Sequence, residues 1–167
     1  MSDMTYEDYA AEREADTILA VKAAMEARKQ AVTFKTSVGA AVITKDGGIW
    51  SGFNIEAYGY KFELHAEEMC VVRAMGEGYR GTDFECLVVV FQSGWSDKIE
   101  VYPGCPYCWA FLNEFTHSGL KMVIADIHGQ VLYKTTLREM FTLPLDMIYP
   151  SAEYKKAKPK LGTSPKL

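Results

Sequence analysis

The sequence has little of what would tie a protein to a membrane, a nucleic acid or an oxidising compartment. No window approaches the roughly 18 unbroken apolar residues of a membrane span. Basic residues are outnumbered, with 18 Lys and Arg against 22 Asp and Glu and a net charge of −4. That balance leaves no electrostatic case for gripping a phosphate backbone. Met1 to Asp16 is acidic and lacks the apolar core of a signal peptide. Cysteines are few, at positions 70, 86, 105 and 108. Without a secretory leader, that even count reads as reduced thiols rather than disulfides. A cytoplasmic protein with no membrane or nucleic-acid partner is the expectation.

What remains is 167 residues of ordinary globular composition, 49% hydrophobic and 24% charged. The simplest division is one domain over residues 1–150. A Lys- and Pro-containing tail, 151–167, is expected to be poorly ordered. Residues from about Thr5 to Gln30 carry Tyr9, Ile18, Leu19, Val21, Ala24 and Met25 at helical spacing, uninterrupted by Pro or Gly. Val38 to Thr44 reads as a strand, Asp46-Gly47-Gly48 as a hairpin turn and Ile49 to Ile55 as the partner strand. The small Gly39-Ala40-Ala41 run admits close approach of a ligand or a helix. A helix is predicted from His65 to about Met75, and a buried central strand at Leu87 to Phe91. A further helix runs from Cys105 or Pro106 to about His117, before strands at Lys121 to Ala125 and Val131 to Lys134. Thr136-Leu137-Arg138-Glu139 matches a capping box opening a last short helix. The order α-β-β-α-β-α-β-β-α predicts an α/β domain with one mixed sheet covered by helices. About five residues join the last two strands, too few for a parallel crossover, so if they pair at all they form an antiparallel hairpin.

Two short motifs carry chemistry. In Leu64-His65-Ala66-Glu67-Glu68, an imidazole and a carboxylate stand two residues apart at a helix start; Cys105-Pro106-Tyr107-Cys108 opens the next helix. Alone, the first pair is common on helix surfaces, and Cys-x-x-Cys also serves redox folds. Together, one imidazole and two thiolates make three zinc ligands and leave a fourth position for water. Glu67 is then placed to move protons without binding the metal. The helix dipoles favour thiolate at both N-termini. Cys70 and Cys86 read as core cysteines, and His117 and His128 as surface histidines. Glu68 reads as solvent-facing or as a partner of the helix dipole.

With those motifs in place, the chain resembles the cytidine deaminase family over about Val38 to Pro144. His-x-Glu followed by Cys-x-x-Cys matches the zinc deaminase signature. Val38-Gly39-Ala40-Ala41 with Asp46-Gly47 and Asn54-Ile55-Glu56 is similar to the family's strand pair. Cys108 to Phe115 resembles its helix after the second cysteine, and Thr136 to Met140 with Leu143-Pro144 its closing segment. The resemblance implies a three-layer α/β/α cytidine-deaminase-like fold, with a mixed five-stranded sheet and an antiparallel last hairpin. It implies Zn2+, one per subunit, on His65, Cys105 and Cys108, with Glu67 as the catalytic proton shuttle. Asn54 and Glu56 would contact the sugar hydroxyl. Backbone groups of Ala66 and Cys105 would hold the ring carbonyl and the attacking hydroxide, with Phe34 and Pro103 also at the substrate. A homotetramer is implied as well.

The chain departs from the family's usual pattern at several positions. Gly104 replaces the proline before the first metal cysteine, with Pro103 displaced by one. Trp109 replaces the arginine after the second cysteine. Thr36 stands where an aromatic often packs on the base, and Ala57 replaces an asparagine. The expected activity is hydrolytic deamination of a cytidine-like nucleoside. The alternative is a modified cytosine compound such as a blasticidin-type antibiotic, favoured by Thr36, Ala57 and the Tyr58–Phe62 loop.

Overall fold

A computed structural model of the chain describes residues 6–34, 36–57, 63–93 and 104–142. The tail at 151–167, the loop at 58–62, Pro103 and Leu143-Pro144 lie outside those residues. The described elements run α1 (Tyr6–Arg28), β1 (Thr36–Thr44), β2 (Ile49–Phe53), α2 (Ala66–Gly76), β3 (Phe84–Ser93), α3 (Pro106–Phe115), β4 (Lys121–Ala125), β5 (Val131–Thr136) and α4 (Leu137–Met140). Five strands form one sheet in the order β2-β1-β3-β4-β5. β1 pairs antiparallel with β2 and β3, β3 parallel with β4, and β4 antiparallel with β5. The mixed sheet and its closing antiparallel hairpin are therefore as expected, and the apolar 87–91 run lies in the central strand.

Period-two alternation divides the core between the two faces. Ala41, Ile43, Cys86, Val88 and Val90 pack under α1 with Ala20, Val21 and Ala24. Ala40, Val42, Leu87, Val89 and Phe91 face the other way, onto Ala66, Cys70, Val71 and Ala74 of α2 and Trp109 and Leu112 of α3. Two glycines set the helix heights. A Cβ on Gly39 would stand 2.6 Å from the Arg28 backbone nitrogen of α1, and one on Gly52 would stand 2.6 Å from the Cys70 nitrogen of α2. The small run at 39–41 thus admits a helix, and its partner on the other face is Gly52.

Boundaries move by a few residues. β1 begins at Thr36 and β3 spans Phe84–Ser93, while β2 ends at Phe53 and Ile55 makes isolated bridges to Val32 and Leu64. Ile18 and Leu19, counted on the apolar face of the first helix, are 50% and 53% exposed. The face that packs is built from Ala20, Ala24 and Ala27, small enough for α1 to lie against Gly39. Cys70 and Cys86 are core residues as expected. His128 is exposed, but His117 is half-buried, with Nε2 2.8 Å from the Phe84 carbonyl oxygen. The capping box at Thr136 forms: its hydroxyl accepts from Glu139 N at 3.3 Å, and the Glu139 carboxylate accepts from Thr136 N at 2.9 Å.

Candidate active site and metal centre

Two helix N-termini, α2 and α3, meet at the end of the central strands. His65 (φ −87°, ψ 152°) and Cys105 (φ −87°, ψ 131°) are their extended N-cap residues. Each accepts the first helical bond at its carbonyl, from Met69 N at 3.0 Å and Trp109 N at 3.1 Å. Neither N-cap side chain caps its own helix. Both are turned to the shared corner instead. Glu68 takes over part of the capping at α2, its carboxylate accepting from His65 N at 3.0 Å. Glu68, half-buried in the first turn of α2, takes the helix-dipole place expected for it. At α3, Pro106 occupies the first turn, where no N–H partner is needed.

His65, Cys105 and Cys108 place their donor atoms within 4.8 Å of one another, and His65 Nδ1 stands 3.0 Å from Cys108 Sγ. On the far side of the ring, His65 Nε2 lies 4.0 Å from a Glu63 carboxylate oxygen. Position 64 is set by the sheet edge: Leu64 and Ile55 exchange backbone bonds of 3.0 and 2.8 Å. The protons are unevenly shared among the three donors. Cys105 is lowered to about 4, chiefly by the hydrogen bond that Cys108 donates, with His65 adding to it. His65 is raised to about 9, first by its bond to Cys105. Cys108 is pushed up because its proton is held against the Cys105 sulfur and its surroundings are buried.

One imidazole and two sulfurs at this spacing fit a tetrahedral zinc site with one position left over. That position has somewhere to face. A cavity of about 340 Å³ is walled by His65, Ala66, Glu67 and Cys105, by Val89 and Phe91, and by Thr36, Val38, Asn54, Ile55 and Glu56. Cys108, only 1% exposed, lies behind this wall. Glu67 is 5% exposed, and desolvation pushes its carboxyl above the ordinary carboxylate range.

The remaining site candidates stand as follows. Asn54 Oδ1 accepts from Val38 N at 2.8 Å and Nδ2 donates to the Thr36 carbonyl at 2.7 Å. The Glu56 carboxylate accepts from Phe34 N at 2.6 Å and Thr36 N at 3.2 Å. Both side chains line the cavity and also pin the entry to β1. Phe34 is 64% exposed and is not among the lining residues, whereas Thr36 is. Pro103 is outside the described residues. The reading from sequence missed Glu63, Phe91 and the double use of Asn54 and Glu56. The i, i+2 spacing of Asn54 and Glu56 does place them on one side of an extended strand, which was the available signal.

Comparison with known proteins agrees with this geometry. Residues 14–125 match the family model described as the cytidine and deoxycytidylate deaminase zinc-binding region. The chain is 29% identical over 118 residues to a cytidine deaminase of Halalkalibacterium halodurans, covering 70% of this chain and 84% of that one. It is 31% identical over 113 residues to a blasticidin-S deaminase of Bacillus cereus, covering 65% and 76%. The crystal structure of a cytidine deaminase from Burkholderia pseudomallei is similar with a TM-score of 0.65 at 26% identity, over 73% of this chain and 93% of that chain. With two-thirds of its length matched and its His and Cys donors gathered beside a buried glutamate, the chain belongs to the cytidine and deoxycytidylate deaminase family, hydrolases of carbon–nitrogen bonds.

Proposed function

We propose that this enzyme hydrolyses the exocyclic amine of a cytidine-like nucleoside, cytidine or deoxycytidine, leaving a uridine-like product and ammonia. The observation that carries the reading is the 340 Å³ cavity with His65, Cys105 and buried Glu67 on one wall. His65, Cys105 and Cys108 would hold one Zn2+ per chain, which when bound acidifies a water to near-neutral pKa. Glu67 accepts the proton released as that water's oxygen attacks ring C4. It delivers that proton to the ring nitrogen and then carries the proton of the hydroxyl added at C4 to the amine, which departs as ammonia as the C4 carbonyl forms. A carboxyl raised by burial suits both directions of that shuttle. Asn54 and Glu56, side by side on the cavity wall away from the donors' helix starts, receive the sugar hydroxyl. Backbone groups of Ala66 and Cys105 hold the ring carbonyl and the attacking oxygen.

The net charge of −4 and the antiparallel β4–β5 hairpin support a small nucleoside over a polynucleotide. Exposed Ile18, Leu19 and Tyr107 support assembly into a homotetramer. The catalytic unit is the single domain of residues 1–150, serving pyrimidine salvage in the cytoplasm. A second reading, a modified cytosine compound of the blasticidin type, is favoured by Thr36 on the cavity wall where relatives often carry an aromatic. Zinc-loaded enzyme assayed for loss of absorbance and ammonia release on cytidine, deoxycytidine, cytosine and blasticidin-type compounds decides between them. Turnover of the first two is expected. Turnover of the antibiotic alone would replace the first reading by the second, and none at all would contradict both.

A further inference from the structure

Two residues at the α3 corner constrain one another. Gly104, directly before Cys105, has φ +99°, a conformation that L side chains resist. A Cβ built there would stand 2.9 Å from the indole Nε1 of Trp109, too close to coexist. Trp109 follows Cys108 directly, is 3% exposed, and packs within the core of the α2/α3 face. Its ring meets Phe141 edge-on at 6.0 Å between centroids. A ring anchored this way cannot swing aside cheaply, so any atom added at 104 must move the backbone that leads into Cys105. These are also the two positions where the usual proline and arginine of the family are replaced.

We propose that Gly104 and Trp109 form a coupled positioning pair that sets the direction of the Cys105 sulfur relative to Cys108 and His65. The indole lies against the glycine, and the turn at the glycine points the first sulfur donor into the corner. The pair thereby tunes metal affinity and the shape of the coordination site. This rests on the metal reading of the three donors.

The test uses the full chain as Gly104→Ala, Trp109→Phe and the double variant, with Gly78→Ala as a control. Gly78 has φ +103°, and a Cβ added there would meet nothing within 4 Å, so it isolates the cost of backbone conformation from that of the contact. Zinc affinity is read by chelator competition, the Co(II) form by its sulfur-to-metal absorption, and the apo form by thermal melting. Gly104→Ala is expected to lower zinc affinity about 10- to 100-fold and to shift the Co(II) spectrum. Trp109→Phe should do so less. The double variant should regain part of the Gly104→Ala loss, because the shorter ring vacates the contested space. Gly78→Ala should move only the melting temperature. A double-variant loss equal to the product of the single losses would overturn the pairing, as would an unchanged Co(II) spectrum in Gly104→Ala. If Gly104→Ala does not fold, Trp109→Phe decides: wild-type affinity and spectrum overturn the proposal, and changes in both support it. A wild-type chain that takes up neither zinc nor Co(II) overturns the metal reading itself, which is a distinct result.

Discussion

On one face of the sheet Gly39 lets the backbone of α1 come down onto β1; on the other, Gly52 does the same for α2. The packing solution is the same, yet among the described residues α1 contributes none to the cavity wall, while α2 brings Ala66, Glu67 and its N-cap His65. A similar contrast holds between the two helix starts of the active face. At α2 and α3 the N-cap side chains turn to the corner where the three donors gather, and the ends are served by different means, a carboxylate from Glu68 and a proline at the first turn. Helix ends that forgo their own caps are thus a structural cost of the site, met locally and differently at each end.

The largest effect that would break this contrast is loss of a donor. Cys105→Ser should lower zinc affinity by more than the roughly 100-fold that outer-shell changes reach, and turnover should fall with it. Wild-type zinc content in that variant would remove Cys105 from the metal corner. Zinc uptake itself should release about two protons at pH 7, one from His65, raised to about 9, and one from Cys108, also raised. Affinity therefore rises with pH, less steeply above about 9, where His65 gives up its own proton and only Cys108 still releases one on binding. Calorimetry in buffers of different ionisation enthalpy counts the protons, and a count near zero would contradict the distribution described.

The two glycines sharpen the comparison of the faces. Gly39→Ala and Gly52→Ala should each destabilise the fold by about 1–3 kcal/mol through overpacking. Only Gly52→Ala should also weaken zinc binding per folded molecule, because α2 is the helix it displaces. Equal zinc affinities in both folded variants would show that the helix height does not reach the site. The smallest expected effect is at Glu68. Glu68→Ala should cost about 1 kcal/mol, lowering Tm by a few degrees, with zinc retained. A full loss of zinc there would make Glu68 more than a cap.

Much of this was legible from the chain because its signals are local. The 87–91 apolar run, the Asp46-Gly47-Gly48 turn and the short 126–130 connection define strand type and direction within a few residues. His65, Glu67, Cys105 and Cys108 lie in two helix-start motifs whose chemistry suggests their meeting. What was not legible depends on registers across 16 to 22 residues: Asn54 and Glu56 turning onto the backbone at Phe34, Thr36 and Val38. Small residues were misleading for a related reason. Alanines in α1 look weakly apolar beside Ile18 and Leu19, but close helix–sheet packing over a glycine prefers them.

Paired zinc analysis and cytidine turnover of Glu67→Gln test the central division of labour most directly. Glu67 lies against the cavity without being one of the three donors, so the variant should keep its zinc and lose at least about 100-fold in turnover. Turnover near that of the wild type, with zinc in place, would contradict the account.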